Sequence, residues 1–356
     1  MKKTLLFLLF SIFILTALAQ EAPSGKISGV MFADYFYNIQ RDSTIGRKDF
    51  NGFQFRRIYF TYDFKINETF NTRFRLEGDQ ESNTSSSRIG VFIKDAFINW
   101  QDIFAGSNLT IGIQPTPAFD VSEGVWGYRS LEKTIMDLRD IVSSRDLAVS
   151  LRGRIDNNGV FNYWVMYGNG SGNRIETDKY KRYYLLFHVK PAKGFHLSLY
   201  GDLRARANKN YSAGSTSYSF INNYITTAFF AGYRDENKLS IGAEAVFLKK
   251  QNDISEEFLN SIKVDDIDAL GISIFGSVPI SSRFTGVARW DYFDPNIKSG
   301  FKGDLTNYFI AGLDYSPDKN FSIIPNVLIE TFEKSASKEI DPSVTARITF
   351  SYSFGE

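Results

Sequence analysis

The sequence predicts an all-β protein, a transmembrane antiparallel β-barrel of about 16 strands with a long third external loop. Three observations predict it. The chain begins with an export signal, its apolar and polar residues alternate with a period of two from Lys26 onward, and short polar turns alternate with long polar loops.

The signal comes first. Lys2 and Lys3 supply its positive charge, Leu5 to Leu15 an apolar core broken only by Ser11, and Ala17-Leu18-Ala19 before Gln20 a small-x-small cleavage site. That core falls short of the ~20 apolar residues a spanning helix needs. Cleavage after Ala19 is expected, leaving a single barrel domain over 20–356, and no cysteine is near for lipid attachment. The 356 residues contain no Cys at all, which excludes a disulfide scaffold, a thiolate metal site and a cysteine nucleophile. The balance of 41 Lys and Arg against 40 Asp and Glu argues against a nucleic-acid binder that relies on bulk charge. The chain carries 33 Phe and 19 Tyr, yet no apolar run of helical length follows the signal. An exported chain of this composition enters a membrane by one route, a closed barrel, because every backbone polar group must find a partner within the sheet.

The strands carry the next argument. In Phe60-Thr61-Tyr62-Asp63-Phe64-Lys65 the even positions are aromatic and the odd ones polar. After a turn at Asn67-Glu68, Phe70, Thr72, Phe74 and Leu76 alternate with Asn71, Arg73, Arg75 and Glu77. Successive side chains of a strand point to opposite faces, so one face is apolar and the other charged. The last strand repeats the pattern, with Val344, Ala346, Ile348, Phe350, Tyr352 and Phe354 on one side and Thr345, Arg347, Thr349, Ser351 and Ser353 on the other. Lipid outside, water inside and aromatic residues at the interface account for such a strand.

The connections set the strand number. Short turns fall near Asn67-Glu68, Ala105–Ser107, Asp156–Gly159, Ala192–Gly194, Asp235–Asn237, Ile280–Ser282 and Pro317–Asn320. Between them lie longer stretches, Ile39–Asn51, Gln80–Ser87, Pro115–Ser143, Asn169–Lys179, Arg206–Ser217, Lys250–Val264, Pro295–Gly303 and Glu333–Ile340. Short periplasmic turns and long external loops are the habit of outer-membrane barrels.

A family resemblance appears in the first half. Phe55-Arg56-Arg57 leading into a strand, then Lys94-Asp95-Ala96-Phe97, Gly112-Ile113-Gln114-Pro115-Thr116-Pro117-Ala118-Phe119, Tyr128–Thr134 and Arg145–Gly153, in that order and spacing, resemble the phosphate-selective porin O/P family. The resemblance implies a homotrimeric porin whose third external loop folds into the lumen. The sequence departs from that family where selectivity is concerned. Pro115 stands after the strand-ending Gln114, where members often carry a basic residue.

A channel does no bond chemistry, so its candidate residues are those that shape and charge a constriction. Pro115–Ser143 is the longest loop, and its Phe119, Val125, Trp126, Tyr128, Leu131, Ile135, Met136 and Leu138 need something to pack against. The barrel interior supplies it. On that loop Asp120, Glu123, Glu132, Asp137 and Asp140 outnumber Arg129, Lys133 and Arg139. Arg57, Arg73 and Arg75, with Arg152 and Arg154 on the sixth strand, are expected to form a basic wall facing it, an arrangement that biases ion passage. Ordinary ion pairing along the wall is the competing use of each arginine, and the same is expected of Glu244, Arg204, Arg289, Asp291 and Arg347.

Neither a cofactor nor a metal is implied. The two histidines, His188 and His196, flank one short turn; Ser198 lies near them, but no nucleophile-elbow pattern accompanies it. The expected function is passive diffusion of small hydrophilic solutes or ions through an outer-membrane porin with mild anion preference. A solute-specific channel for phosphate or another oxyanion is the first alternative, and a non-conducting barrel serving as adhesin or structural protein the second. The expected partners are outer-membrane lipid, small anions and two further copies of the chain, with no nucleic acid.

Overall fold

The computed structural model describes residues 23–80, 82, 88–235, 238–258, 261–298, 303–334 and 339–355. The expected signal at 1–19 lies outside them, as do parts of the loops and turns expected near 81–87, 236–237, 259–260, 299–302 and 335–338.

Sixteen antiparallel strands close into a barrel. The first five are β1 (Ser24–Gln40), β2 (Asn51–Lys65), β3 (Phe70–Asp79), β4 (Gly90–Phe104) and β5 (Ser107–Pro115). Then follow β6 (Arg145–Arg154), β7 (Phe161–Gly168), β8 (Arg182–Val189) and β9 (Phe195–Arg204). A separate hairpin, β10 (Lys209–Ala213) and β11 (Thr216–Phe220), begins within the stretch Arg206–Ser217 expected to be plain loop and runs three residues past it. The barrel resumes with β12 (Tyr224–Asp235), β13 (Leu239–Phe258), β14 (Ser261–Pro279), β15 (Phe284–Asp294), β16 (Thr306–Asp318), β17 (Phe321–Phe332) and β18 (Ser343–Phe354). β18 pairs with β1 to close the ring, so no barrel edge is left unpaired. The seven short connections and seven of the eight long ones fall near the turn residues that mark them. One expectation is corrected: much of Lys250–Val264 is not loop, because β13 and β14 extend through it as a paired ribbon, with a register shift between Lys250 and Ile254.

The outward face is apolar. Phe60, Phe74, Ile98, Phe187, Phe229, Phe247 and Phe309 are all exposed. Aromatic pairs gather at strand ends beside the short turns: Phe70 with Trp100 at 5.4 Å, Phe195 with Tyr233 at 4.7 Å, Phe284 with Tyr315 at 5.0 Å and Tyr352 with Phe354 at 6.4 Å between ring centroids. This is the girdle that an interface between lipid and water favours.

The inward face divides in two. On β1–β4 and β18 it carries charge, with Asp34, Glu77, Lys94, Asp95 and Arg347 buried. On β7–β9 and β12–β17 much of it is apolar, as at Trp164, Met166, Tyr184, Leu186, Phe230, Val246, Phe275, Val287 and Ile310. A water-filled lumen would not leave such a surface bare. The third loop covers it, joining these residues in one cluster through Phe119, Val125, Trp126, Leu131, Ile135 and Met136.

Candidate pore lining

The loop at 116–144 holds two short helices, α1 (Asp120–Trp126) and α2 (Ile135–Leu138). Gly127 ends α1 in the left-handed conformation at φ 70°, and its N–H donates to the Glu123 carbonyl at 3.0 Å. Trp126 is 1% exposed, its ring 5.1 Å from Phe275 and its indole N–H donating to the Glu132 carbonyl at 2.9 Å. Leu131, Ile135 and Met136 are wholly buried. Burying these four side chains contributes on the order of 10 kcal/mol to holding the loop.

Wall arginines complete the attachment from their own strands. Arg56 donates to the carbonyls of Ser130 and, at 3.0 Å, Leu131. Arg347 donates to the Leu131 carbonyl at 2.7 Å, Arg289 to that of Lys133 and Arg234 to that of Gly124. Behind the first two sits Asp34, which pairs with Arg56 and lies 3.9 Å from Arg347. Side-chain bonds add to these. Tyr128 donates to Asp314 at 3.1 Å, Tyr308 to Glu132 at 3.2 Å, and Arg139 pairs with Glu330 at 3.0 Å. The loop therefore touches inward-facing side chains of β2, β12 and β15–β18. Burial pushes the Glu132 carboxyl up, but the guanidiniums of Arg347, Arg56 and Arg289 outweigh it and hold the group below its ordinary 4.5.

The expected site residues are placed as follows. Arg57, Arg73 and Arg75 all point inward, yet each meets an acid of the wall and not of the loop. Arg57 pairs with Glu77 at 2.6 Å, Arg73 with Asp63 at 2.6 Å and Arg75 with Asp95 at 3.4 Å. Arg152 alone of the five meets a loop acid, Asp120, at 2.7 Å. Glu123 is held by Arg129, which also reaches Asp137 at 2.9 Å. The expectation of loop acids facing a wall of arginine is thus corrected to one such pair, because nearer carboxylates on neighbouring strands take Arg57, Arg73 and Arg75 first. Arg154 and Lys133 have no carboxylate partner among the described residues. Of the charges expected to pair along the wall, Arg289 joins Asp291 at 2.5 Å.

Arg56, Lys94 and Asp95 were not singled out by alternation. β2 bulges so that Phe32 faces Arg57 and Ala33 faces Phe55, leaving Arg56 as the extra residue. β4 does the same at Lys94, between Asp95 and Ile93. Each bulge turns two successive charged residues inward. Lys94 then reaches Glu77 at 2.7 Å, and Arg145 joins Asp95.

At the short-turn mouth, a cavity of about 760 Å³ is bordered by Asp120, Arg152, Arg154, His188, Lys190 and His196. The two imidazoles stack at 5.2 Å and share a hydrogen bond of 3.0 Å between His188 Nε2 and His196 Nδ1.

No known family model matches the chain. No curated protein matches it in sequence. Solved structures do resemble it. The outer-membrane channel DcaP of Acinetobacter baumannii aligns at a TM-score of 0.67 and 12% identity, over 94% of this chain and 98% of its own. An anion-selective porin from Comamonas acidovorans aligns at 0.66 and 12%, over 94% and 100%. A trimer form of OmpT, an outer-membrane protein of Vibrio cholerae, aligns at 0.60 and 11%, over 94% and 100%. The fold is that of the 16-stranded outer-membrane porin barrel.

Proposed function

We propose that this chain is a bacterial outer-membrane porin that passes small hydrophilic solutes down their gradients with a preference for anions. Export through the signal at 1–19 would deliver it, and the loop at 116–144 forms the constriction. One observation supports the anion preference best. Five acids of the inner wall and loop, Asp34, Asp63, Glu77, Asp95 and Asp120, are bound in ion pairs, whereas Arg154 and Lys190 at one mouth and Arg41 and Arg47 at the other have no carboxylate partner among the described residues. Fixed positive charge in a narrow passage raises the local anion concentration.

The order of motifs over Lys26 to Asn173 supports a place in the phosphate-selective porin O/P family, and a homotrimer with it. The trimeric form recorded for the Vibrio cholerae neighbour agrees with that assembly. In this reading the channel performs no bond chemistry. Planar-bilayer recordings test the reading. An ohmic current and a reversal potential of anionic sign in a KCl gradient are expected, together with swelling of loaded liposomes in small sugars. A barrel that gives neither current nor swelling is an adhesin or a structural protein. Current that saturates with phosphate and is blocked by it at micromolar concentration marks a solute-specific channel.

A further inference from the structure

Two cavities meet at the mouth formed by the long loops. The larger, about 420 Å³, is bordered by Phe36, Arg41, Arg47, Phe50 and Leu328. The smaller, about 230 Å³, lies beside Arg139 and shares Arg41, Leu328 and Thr345 with the first. Two of the cations here lie against aromatic rings. Arg47 stacks over the Phe50 ring at 4.5 Å, Phe50 lies 5.4 Å from Phe36, and Arg139 stacks over Phe293 at 5.5 Å. Glu330 is the one carboxylate that borders either cavity among the described residues, and Arg139 already holds it at 3.0 Å. Arg41 Nε and the Nε and Nη2 of Arg139 are nonetheless buried without a hydrogen-bond acceptor.

We propose that this mouth binds an anionic solute built as a carboxylate on an apolar, ring-sized body. Buried polar nitrogens are hydrogen-bonded as a rule, so those of Arg41 and Arg139 point to an acceptor that arrives from solution. A small hydrated oxyanion would satisfy them and leave Phe36, Phe50 and Leu328 facing water. A ring-sized body covers those side chains and fits a cavity of this volume. It also excludes water from the charge contact, which strengthens it. The inference rests on the anion-preferring channel proposed above and names the solute class that the channel concentrates.

The test uses the full mature protein in planar bilayers, with benzoate as probe and acetate and inorganic phosphate beside it, each added on the long-loop side. Benzoate is expected to block ion current saturably, at a half-blocking concentration at least about tenfold below those of acetate and phosphate. The double variant Arg41→Gln, Arg47→Gln is expected to raise that concentration about tenfold. Phe50→Ser should weaken the benzoate block severalfold and leave acetate unchanged, since acetate has no ring to place there. Benzoate that blocks no better than acetate or phosphate overturns the proposal, as does a block that survives the double variant intact. The reversal potential in a KCl gradient, recorded in the same membranes, separates the two claims. An anion-preferring pore indifferent to benzoate refutes this site alone, whereas a pore without anion preference refutes the reading beneath it.

Discussion

Replacing Arg56 by leucine removes two hydrogen bonds to the tip of the inner loop, at the carbonyls of Ser130 and Leu131, and one ion pair to Asp34. Hydrogen bonds from a charged group contribute about 1.5–3 kcal/mol each, so Arg56 holds the tip with about 3–6 kcal/mol. Asp34 is 1% exposed, and it keeps the Thr349 hydroxyl, Gln54 and the more distant Arg347 as compensation. The barrel therefore survives the change. A loss of about 3 kcal/mol raises the population of detached loop tip about 150-fold. Single-channel records of Arg56→Leu are expected to show flicker and a higher mean conductance than the steady wild-type level. Arg56→Lys restores the charge opposite Asp34 without the planar fork that reaches both carbonyls, so its flicker should persist. An Arg56→Leu channel with unchanged conductance and noise would refute the assignment of this arginine as a loop anchor.

Three further outcomes are expected. Trp126→Ala leaves a cavity between α1 and the wall, costs about 3–5 kcal/mol within the loop, and should speed trypsin cleavage after Arg129 and Lys133 without altering the heat-resistant migration of the barrel; an unchanged cleavage rate contradicts the packing described. Glu132 has a folded pKa held below its unfolded value, so its contribution is present above about pH 4.5 and is lost as the pH falls through the depressed folded value. Acid should therefore make the wild-type current noisier, and Glu132→Gln should show that noise already at neutral pH, which a pH-independent recording would disprove. Arg73→Ala leaves Asp63 without its partner, and the reversal potential in a KCl gradient should move toward cations; no shift would mean that this pair lies off the ion path.

Alternation read along the chain was enough for the barrel, the outward aromatic face and the order of short and long connections, because a strand's period of two is local. It was not enough for Arg56, Lys94 and Asp95. A signal was nevertheless present. Phe53 and Phe55 are outward at odd positions and Phe60 and Tyr62 at even ones; Val91 and Ile93 are outward at odd positions and Ile98 and Trp100 at even ones. A change of parity within one strand requires an extra residue, and in both strands the residues at the change are charged. The apolar inner half was hidden for another reason. Trp164, Tyr184, Phe230 and Phe275 alternate with equally apolar outward residues, so no polar face marked the lumen there.

Local spacing thus dictates which side of the sheet a residue takes, since neighbouring Cβ atoms must point opposite ways. Which partner a charge finds depends on residues far off in the chain. Arg56 meets carbonyls 74 and 75 positions away, and Arg347 one 216 positions away. Barrel closure and the seating of the loop bring those groups within reach, and Coulomb energy then favours the nearest acceptor in the low-dielectric interior. Before closure, the same arginines have no reason to prefer one carboxylate or carbonyl over another.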